Sequence, residues 1–190
     1  MITDKTIIGA EAVLKEIEGQ SLKRFLPIIG PVKGKYLVEA AKRHRVKKVL
    51  EIGTLIGYSA ILLAHNLPEG GQVFSIEINP QSVAQAKENI QKAGLWDKIR
   101  LYTGDALEKI PEIDEKFDMV FIDAEKSEYL EYLKLSEPKL KKNGIVFADN
   151  VKIFASRMRD YLEYVRNSGK YRSQYIDVGF DGVEISIKLF

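Results

Sequence analysis

Four acidic residues, Glu51, Glu77, Asp123 and Asp149, each close an apolar run of β character: VLE, VFSIE, MVFID and IVFAD. Acids in these places could accept hydrogen bonds from ribose hydroxyls, balance a cationic ligand or hold a hard metal ion. One acid at a strand end needs no more explanation than a helix N-cap. Four of them on one sheet edge repel one another, which points to cationic ligands or metal ions in the crevice they share.

Glu51 stands just before the loop Gly53-Thr54-Leu55-Ile56-Gly57, and a helix-forming run opens at Tyr58. A dinucleotide turn needs GxGxxG and room for a pyrophosphate, which a carboxylate here would repel. This loop suits a cationic amino group instead. Glu77, twenty-four positions after Gly53, is placed to accept both hydroxyls of a ribose. An amine and a ribose together describe S-adenosylmethionine, and the turn Thr103-Gly104-Asp105-Ala106 would then meet its adenine. Taken singly, an N-cap at Glu51 and a tight turn at Gly53 are equally good explanations; taken together they are poor ones.

Asp123, Asp149 and Asn150 form a second group. Two carboxylates and an amide make an all-oxygen donor set suited to Mg²⁺, with Ca²⁺ and Mn²⁺ as alternatives. Asp149 as a helix cap is the competing explanation. Lys126, three residues after Asp123, could turn into the same crevice, where repulsion from a divalent cation would favour its neutral amine as a base. A solvent-facing lysine at a helix start is the ordinary alternative.

These residues must be carried by regular elements, and the pattern supplies them. Helix and strand alternate from Lys47: strands KKVLEI, QVFSIE, KIRLYT, FDMVFID and GIVFAD, with helices over Tyr58–Leu67, Pro80–Ala93, a short one through Leu107 and Ile110, Tyr129–Leu140 and Arg157–Asn167. Asn79-Pro80 and Gly94 are start and stop signals for the second of these helices. Continuous apolar strands predict a parallel sheet covered by helices on both faces. The chain closes with YRSQYID and GVEISIKLF, whose short connection predicts an antiparallel hairpin. Before the first strand, Ile2–Leu26 and Lys33–His44 predict two amphipathic helices, broken at Pro27, Gly30 and Pro31. The fold expected is a Rossmann-like, doubly wound α/β sheet of seven strands in a single domain over 1–190, with 1–46 as a helical lid or packing segment.

Composition narrows the chemistry further. The 190 residues include no cysteine and two histidines, His44 and His65, which excludes disulfides, thiolate metal sites and cysteine nucleophiles. A formal net charge of +2 does not argue for a nucleic-acid binder, although KGKYLVEAAKRHRVKK, residues 33–48, is locally basic. No apolar span or leader is evident, so a cytoplasmic protein with no membrane partner is expected.

The ordered motifs Lys33-Gly34, EIGTLIGYS, EINP, TGDAL, FDMVFIDAEKSEYLEY and ADN resemble those of the metal-dependent class I S-adenosylmethionine O-methyltransferases, the group that includes catechol and caffeoyl-CoA O-methyltransferases. The resemblance runs from about Lys33 to the C-terminus. It implies that Glu51, Gly53, Tyr58 and Ser59 hold the methionine end, with Thr54, Ile78 and Asp123 nearby. Glu77 would bind the ribose, Gly104, Asp105 and Ala106 would border the adenine, and the Ile29 backbone would touch the methionine carboxylate. Asp123, Asp149 and Asn150 would be the metal ligands and Lys126 the catalytic base. The implied reaction is methyl transfer to the hydroxyl of a catechol-like or other vicinal-diol small molecule, in a homodimer. The alternatives are methylation of 5-hydroxyuridine in tRNA and a non-catalytic module that binds the cofactor. The acceptor region departs from the family: position 125 is Glu, VKIFA follows Asn150, and residues 173–182, SQYIDVGFDG, are expected to supply no carboxylate for a second acceptor hydroxyl.

Overall fold

The computed structural model describes residues 6–190; the start of the first expected helix, at Ile2, lies outside them. The elements run α1 (Ala10–Ser21), α2 (Gly30–Arg43), β1 (Lys48–Ile52), α3 (Tyr58–Asn66), β2 (Gln72–Glu77), α4 (Pro80–Ala93), β3 (Ile99–Thr103), α5 (Ala106–Glu112), β4 (Phe117–Ile122), a 3₁₀ turn (Lys126–Glu128), α6 (Tyr129–Ser136), β5 (Leu140–Ala148), α7 (Arg159–Asn167), β6 (Tyr171–Asp177) and β7 (Gly182–Lys188). The strands form one seven-stranded sheet in the order β3-β2-β1-β4-β5-β7-β6. The first five are parallel and β7 is antiparallel to both β5 and β6. No helix among the described residues is long and apolar enough to cross a membrane.

Successive side chains in a strand face opposite sides, and both sides are filled. Val49, Val73, Met119, Phe121, Ile145 and Phe147 meet α1 to α4, whereas Leu50, Ile52, Phe74, Ile76, Val120, Ile122 and Val146 meet α5 to α7. Each fully buried aliphatic or aromatic side chain contributes roughly 1.5–3 kcal/mol, which is why these strands carry unbroken apolar runs.

The helix ends follow local chemistry. Asn79 caps α4 by accepting from the Gln81 and Ser82 amides at 2.8 and 3.2 Å, and Gly94 ends it in the left-handed region. Pro31 lies in the first turn of α2, so the expected break there is instead the start of that helix. Two other expectations shift. α6 stops at Ser136, and the turn expected at Lys141–Gly144 is taken into β5, where Leu140 pairs with Phe117 before the register slips and resumes at Ile145 and Met119. Asn143 absorbs the irregularity with φ 61°. Ile7, inside the span Ile2–Leu26 expected to be helical, precedes α1 and is exposed.

The strand order reverses between β1 and β4, which opens a crevice at their carboxyl ends. Gly53 sits at its floor with φ +88°, and a Cβ built there would lie 2.2 Å from the Asp123 carbonyl oxygen. Gly53→Ala should therefore cost on the order of 2–5 kcal/mol, combining a left-handed backbone with an overpacked contact. Urea unfolding measures it, and an unchanged midpoint would mean that the β1 and β4 ends are not locked together at this point.

Candidate active site

A cavity of about 780 Å³ opens along the carboxyl edge. Every parallel strand contributes to it: Gly53 and Leu55 after β1, Glu77 and Ile78 at β2, Gly104, Asp105 and Ala106 after β3, Asp123 to Lys126 after β4, and Asp149 and Asn150 after β5. α1 packs on α3 and α4, and only the segment that follows it, through Phe25, Pro27 and Ile28, reaches the cavity.

On the β1–β3 side, Glu77 is fixed as a hydrogen-bond acceptor. The Leu55 amide donates to its Oε2 at 2.8 Å and the Asn79 amide to its Oε1 at 2.9 Å. A carboxylate held by backbone amides presents its remaining lone pairs in one direction, as a ribose diol requires. Asp105 caps α5 through the Leu107 amide at 2.8 Å while still lining the cavity. Glu51 lies beneath the loop, fully buried, next to Ser75 on the neighbouring strand, whose hydroxyl donates to it. Burial pushes its carboxyl up to about 7, against the pull of the Ser59 and Ser75 hydroxyls. Glu51 Oε1 and Thr54 Oγ1 are buried with no hydrogen-bond partner. A clamped acceptor at Glu77 beside a glycine floor at 53 fits a nucleoside ligand, and the two unmatched polar atoms lie in the layer beneath the loop.

Five residues expected in this half, Ile29, Glu51, Thr54, Tyr58 and Ser59, are buried behind the cavity wall rather than on it. Tyr58 departs furthest from its expected role, since its hydroxyl donates to Glu18 on α1 at 2.6 Å. That bond ties the N-terminal helix to the loop, and the register of α3 sends the ring there.

On the β4–β5 side, the expected acids and lysine do meet. Lys126 Nζ donates to Asp123 Oδ1 at 2.8 Å and to the Tyr129 hydroxyl at 3.0 Å, and Tyr129 donates in turn to the Asp149 carbonyl at 3.2 Å. Lys126 also faces the rings of Tyr129 and Phe154, so its ammonium is held inward. Asn150 adopts φ 62°, and its amide donates to Asp149 Oδ1 at 2.7 Å. Burial first, and then the charge on Asp123, push the Asp149 carboxyl up to about 7. That environment asks for a cation between the two acids. Among the described residues no three His, Cys, Asp or Glu side chains are grouped to hold a metal ion; the donor set is two carboxylates and the Asn150 amide, all oxygen donors, as a hard ion prefers.

Two residues of this half were not assigned a role from sequence. Lys33, on the first turn of α2, reaches Asp149 and Asp181. Asp181 accepts from Asn150 Nδ2 at 2.7 Å, so residues 173–182 bring a carboxylate beside Asn150, behind the cavity wall rather than on it. The signal was present in the hairpin: β7 runs antiparallel to β5, so residues just before Gly182 must sit beside the residues that follow Ala148. Glu125 pairs with Arg157 at the rim and caps the 3₁₀ turn through the Ser127 amide. The basic residues between Lys42 and Lys48 lie at the other end of α2, where the Lys47 and Lys48 amides meet Asp118 at the start of β4.

A family model described as O-methyltransferase matches residues 6–163. The chain is 40% identical over 131 residues to a catechol O-methyltransferase of Niastella koreensis, covering 65% of this chain and 58% of that protein. It is 37% identical over 174 residues to catechol O-methyltransferase B of Danio rerio, covering 85% and 65%. It thus spans less than two thirds of the length of either relative. Among solved structures, the O-methyltransferase TomG of Streptomyces achromogenes, in complex with SAM, superimposes with a TM-score of 0.86 at 26% identity, covering 94% of this chain and 90% of that one.

Glu51 provides a test of the site's lower layer. Its carboxyl rises from 4.5 to about 7 on folding, so the stability gained by keeping it protonated is complete below the unfolded value and is lost as the pH climbs through about 7. Glu51→Gln is neutral throughout. Relative to wild type it should gain on the order of 3 kcal/mol between about pH 4 and pH 8, read from urea midpoints at each pH. A constant difference across that range would show that folding leaves the Glu51 carboxyl unshifted.

Proposed function

This chain belongs to the O-methyltransferase family, and from that premise we propose that it moves a methyl group from S-adenosylmethionine to a hydroxyl of a catechol-like or other vicinal-diol small molecule, with Mg²⁺ as the divalent cation. The observation that carries the reading is the meeting, in one cavity, of the clamped Glu77 acceptor with the Asp123–Lys126 pair and the buried Asp149. The curated names of the two relatives given above support a catechol-type acceptor.

When bound, the cofactor would supply an electrophilic methyl on a sulfonium, and the cation would supply charge that favours loss of the acceptor proton. The chain's own part is positioning and proton handling. Glu77, Asp105 and the Gly53 loop fix one end of the cavity, and Asp123, Asp149 and Asn150 fix the other. In the transfer, a carbon–oxygen bond forms as the carbon–sulfur bond breaks, and the hydroxyl proton passes to Lys126 Nζ, which has first given up a proton to solvent to become the neutral amine and which Asp123 and Tyr129 aim into the cavity. Alignment of three atoms along one line is the larger contribution, since well-oriented intramolecular reactions gain roughly 7–11 kcal/mol.

Lys126→Met should lower kcat by roughly 10²–10⁴-fold and leave S-adenosylmethionine binding unchanged by calorimetry. Asp149→Ala, or EDTA, should abolish labelled methyl transfer to a catechol while cofactor binding persists. Transfer that survives both would remove the metal from the reading. Transfer to RNA bearing 5-hydroxyuridine but not to catechols would replace the acceptor. Tight cofactor binding with no transfer to either would leave a binding module.

A further inference from the structure

Lys33 has no part in the methyl transfer just described, yet it lies behind the cavity wall against Asp149, which lines the cavity. Its Nζ lies 2.6 and 2.7 Å from the two Asp149 oxygens and 2.9 Å from Asp181 Oδ2. Of the three donors of its ammonium, one goes to Asp149 Oδ2 and one to Asp181 Oδ2, while Asp149 Oδ1 completes the ion pair. Lys33 is 14% exposed, Asp149 1% and Asp181 8%, so water screens little of the interaction. Lys33 cannot drift away with its helix: a Cβ at the next residue, Gly34, would fall 2.8 Å from Leu62 Cδ2, which shows how closely α2 is seated on α3.

Charge explains why such a residue would be kept. With all three carboxyls ionised, Asp123, Asp149 and Asp181 carry three negative charges against two positive ones on Lys33 and Lys126, leaving one net negative charge. Both oxygens of Asp149 are covered by Lys33, and the Asn150 amino group is already donated to Asp181. A divalent cation seeking Asp149 meets a cation already there.

We infer that Lys33 is the resident counter-ion of the acceptor half, and that a divalent cation must displace its ammonium from Asp149 toward Asp181, so that Lys33 sets the affinity for metal and couples metal loading to α2. The cavity-lining segment at Phe25 to Ile28 leads directly into α2, so the same displacement would be felt where cofactor and acceptor enter. This inference rests on the metal reading proposed above.

The test is Mn²⁺ binding to the full chain at about pH 8, followed by loss of the free-ion electron paramagnetic resonance signal, with neither cofactor nor acceptor present. Lys33→Met should bind Mn²⁺ at least tenfold more tightly than wild type, and Asp181→Asn, which leaves the ammonium to Asp149 alone, more weakly. Mn²⁺ should also speed hydrogen exchange in the first turn of α2 in wild type but not in Lys33→Met. Unchanged or weaker Mn²⁺ affinity in Lys33→Met, with wild type binding, would overturn the role of Lys33 alone. No binding by any of the three chains would overturn the metal reading with it. Should Lys33→Met fail to fold by circular dichroism, Asp181→Asn decides the matter, and an affinity equal to wild type overturns the inference.

Discussion

The structure depends on crowding like charges along one edge of a parallel sheet and relieving each of them differently. Glu51 is protonated more readily because it is buried under the loop. Glu77 is stabilised by two backbone amides from separate loops. Asp123 takes Lys126, and Asp149 and Asp181 share Lys33. The type of relief marks the role of each acid. Amides fix a carboxylate in place without neutralising it, which suits recognition of hydroxyls. An ammonium neutralises a carboxylate but can be exchanged for another cation, which suits an ionic site.

Sheet topology makes the crowding possible and divides it. β1 lies between β2 and β4, so the acids of β1 and β2 fall to one side of the switch point and those of β4 and β5 to the other. The close passage of Gly53 over the Asp123 carbonyl is the seam between the halves. Any side chain at residue 53 would wedge them apart, which accounts for a glycine here independently of any ligand. The antiparallel β7, inserted between β5 and β6, then returns Asp181 to the carboxyl edge that a parallel strand would have left from its other end.

Most of this was legible in the sequence where the cause was local. Unbroken apolar strands, the Asn79 and Gly94 caps of α4 and the short hairpin connection each have a physical reason contained within a few residues, and the elements lie where those reasons put them. The failures were of two kinds. Lys141–Gly144 reads as a turn because Asn-Gly adopts positive φ easily, and only pairing of Leu140 with distant Phe117 turns it into a bulge inside β5. Lys33 is 116 and 148 positions from its partners Asp149 and Asp181, and no periodicity spans such a distance. Tyr58 shows the same limit at short range: the motif places it beside the loop, but helix phase and the presence of Glu18 on α1 decide where its hydroxyl goes.

The basic stretch of residues 33–48 shows how far composition can mislead when the fold is left out. In sequence it is one run of positive charge and invites a polyanion. In the structure its residues 33–43 lie on α2, a helix of 14 residues roughly 20 Å long that runs from the carboxyl edge to the amino edge of the sheet, and the rest is the link into β1. Its first lysine is consumed by two buried carboxylates. Its last basic residues face solvent near the start of β4, on the edge away from the cavity. The charge is thus divided by the helix axis: Lys33 meets two buried carboxylates at the carboxyl edge, and the remainder is the solvated far end of a packing helix.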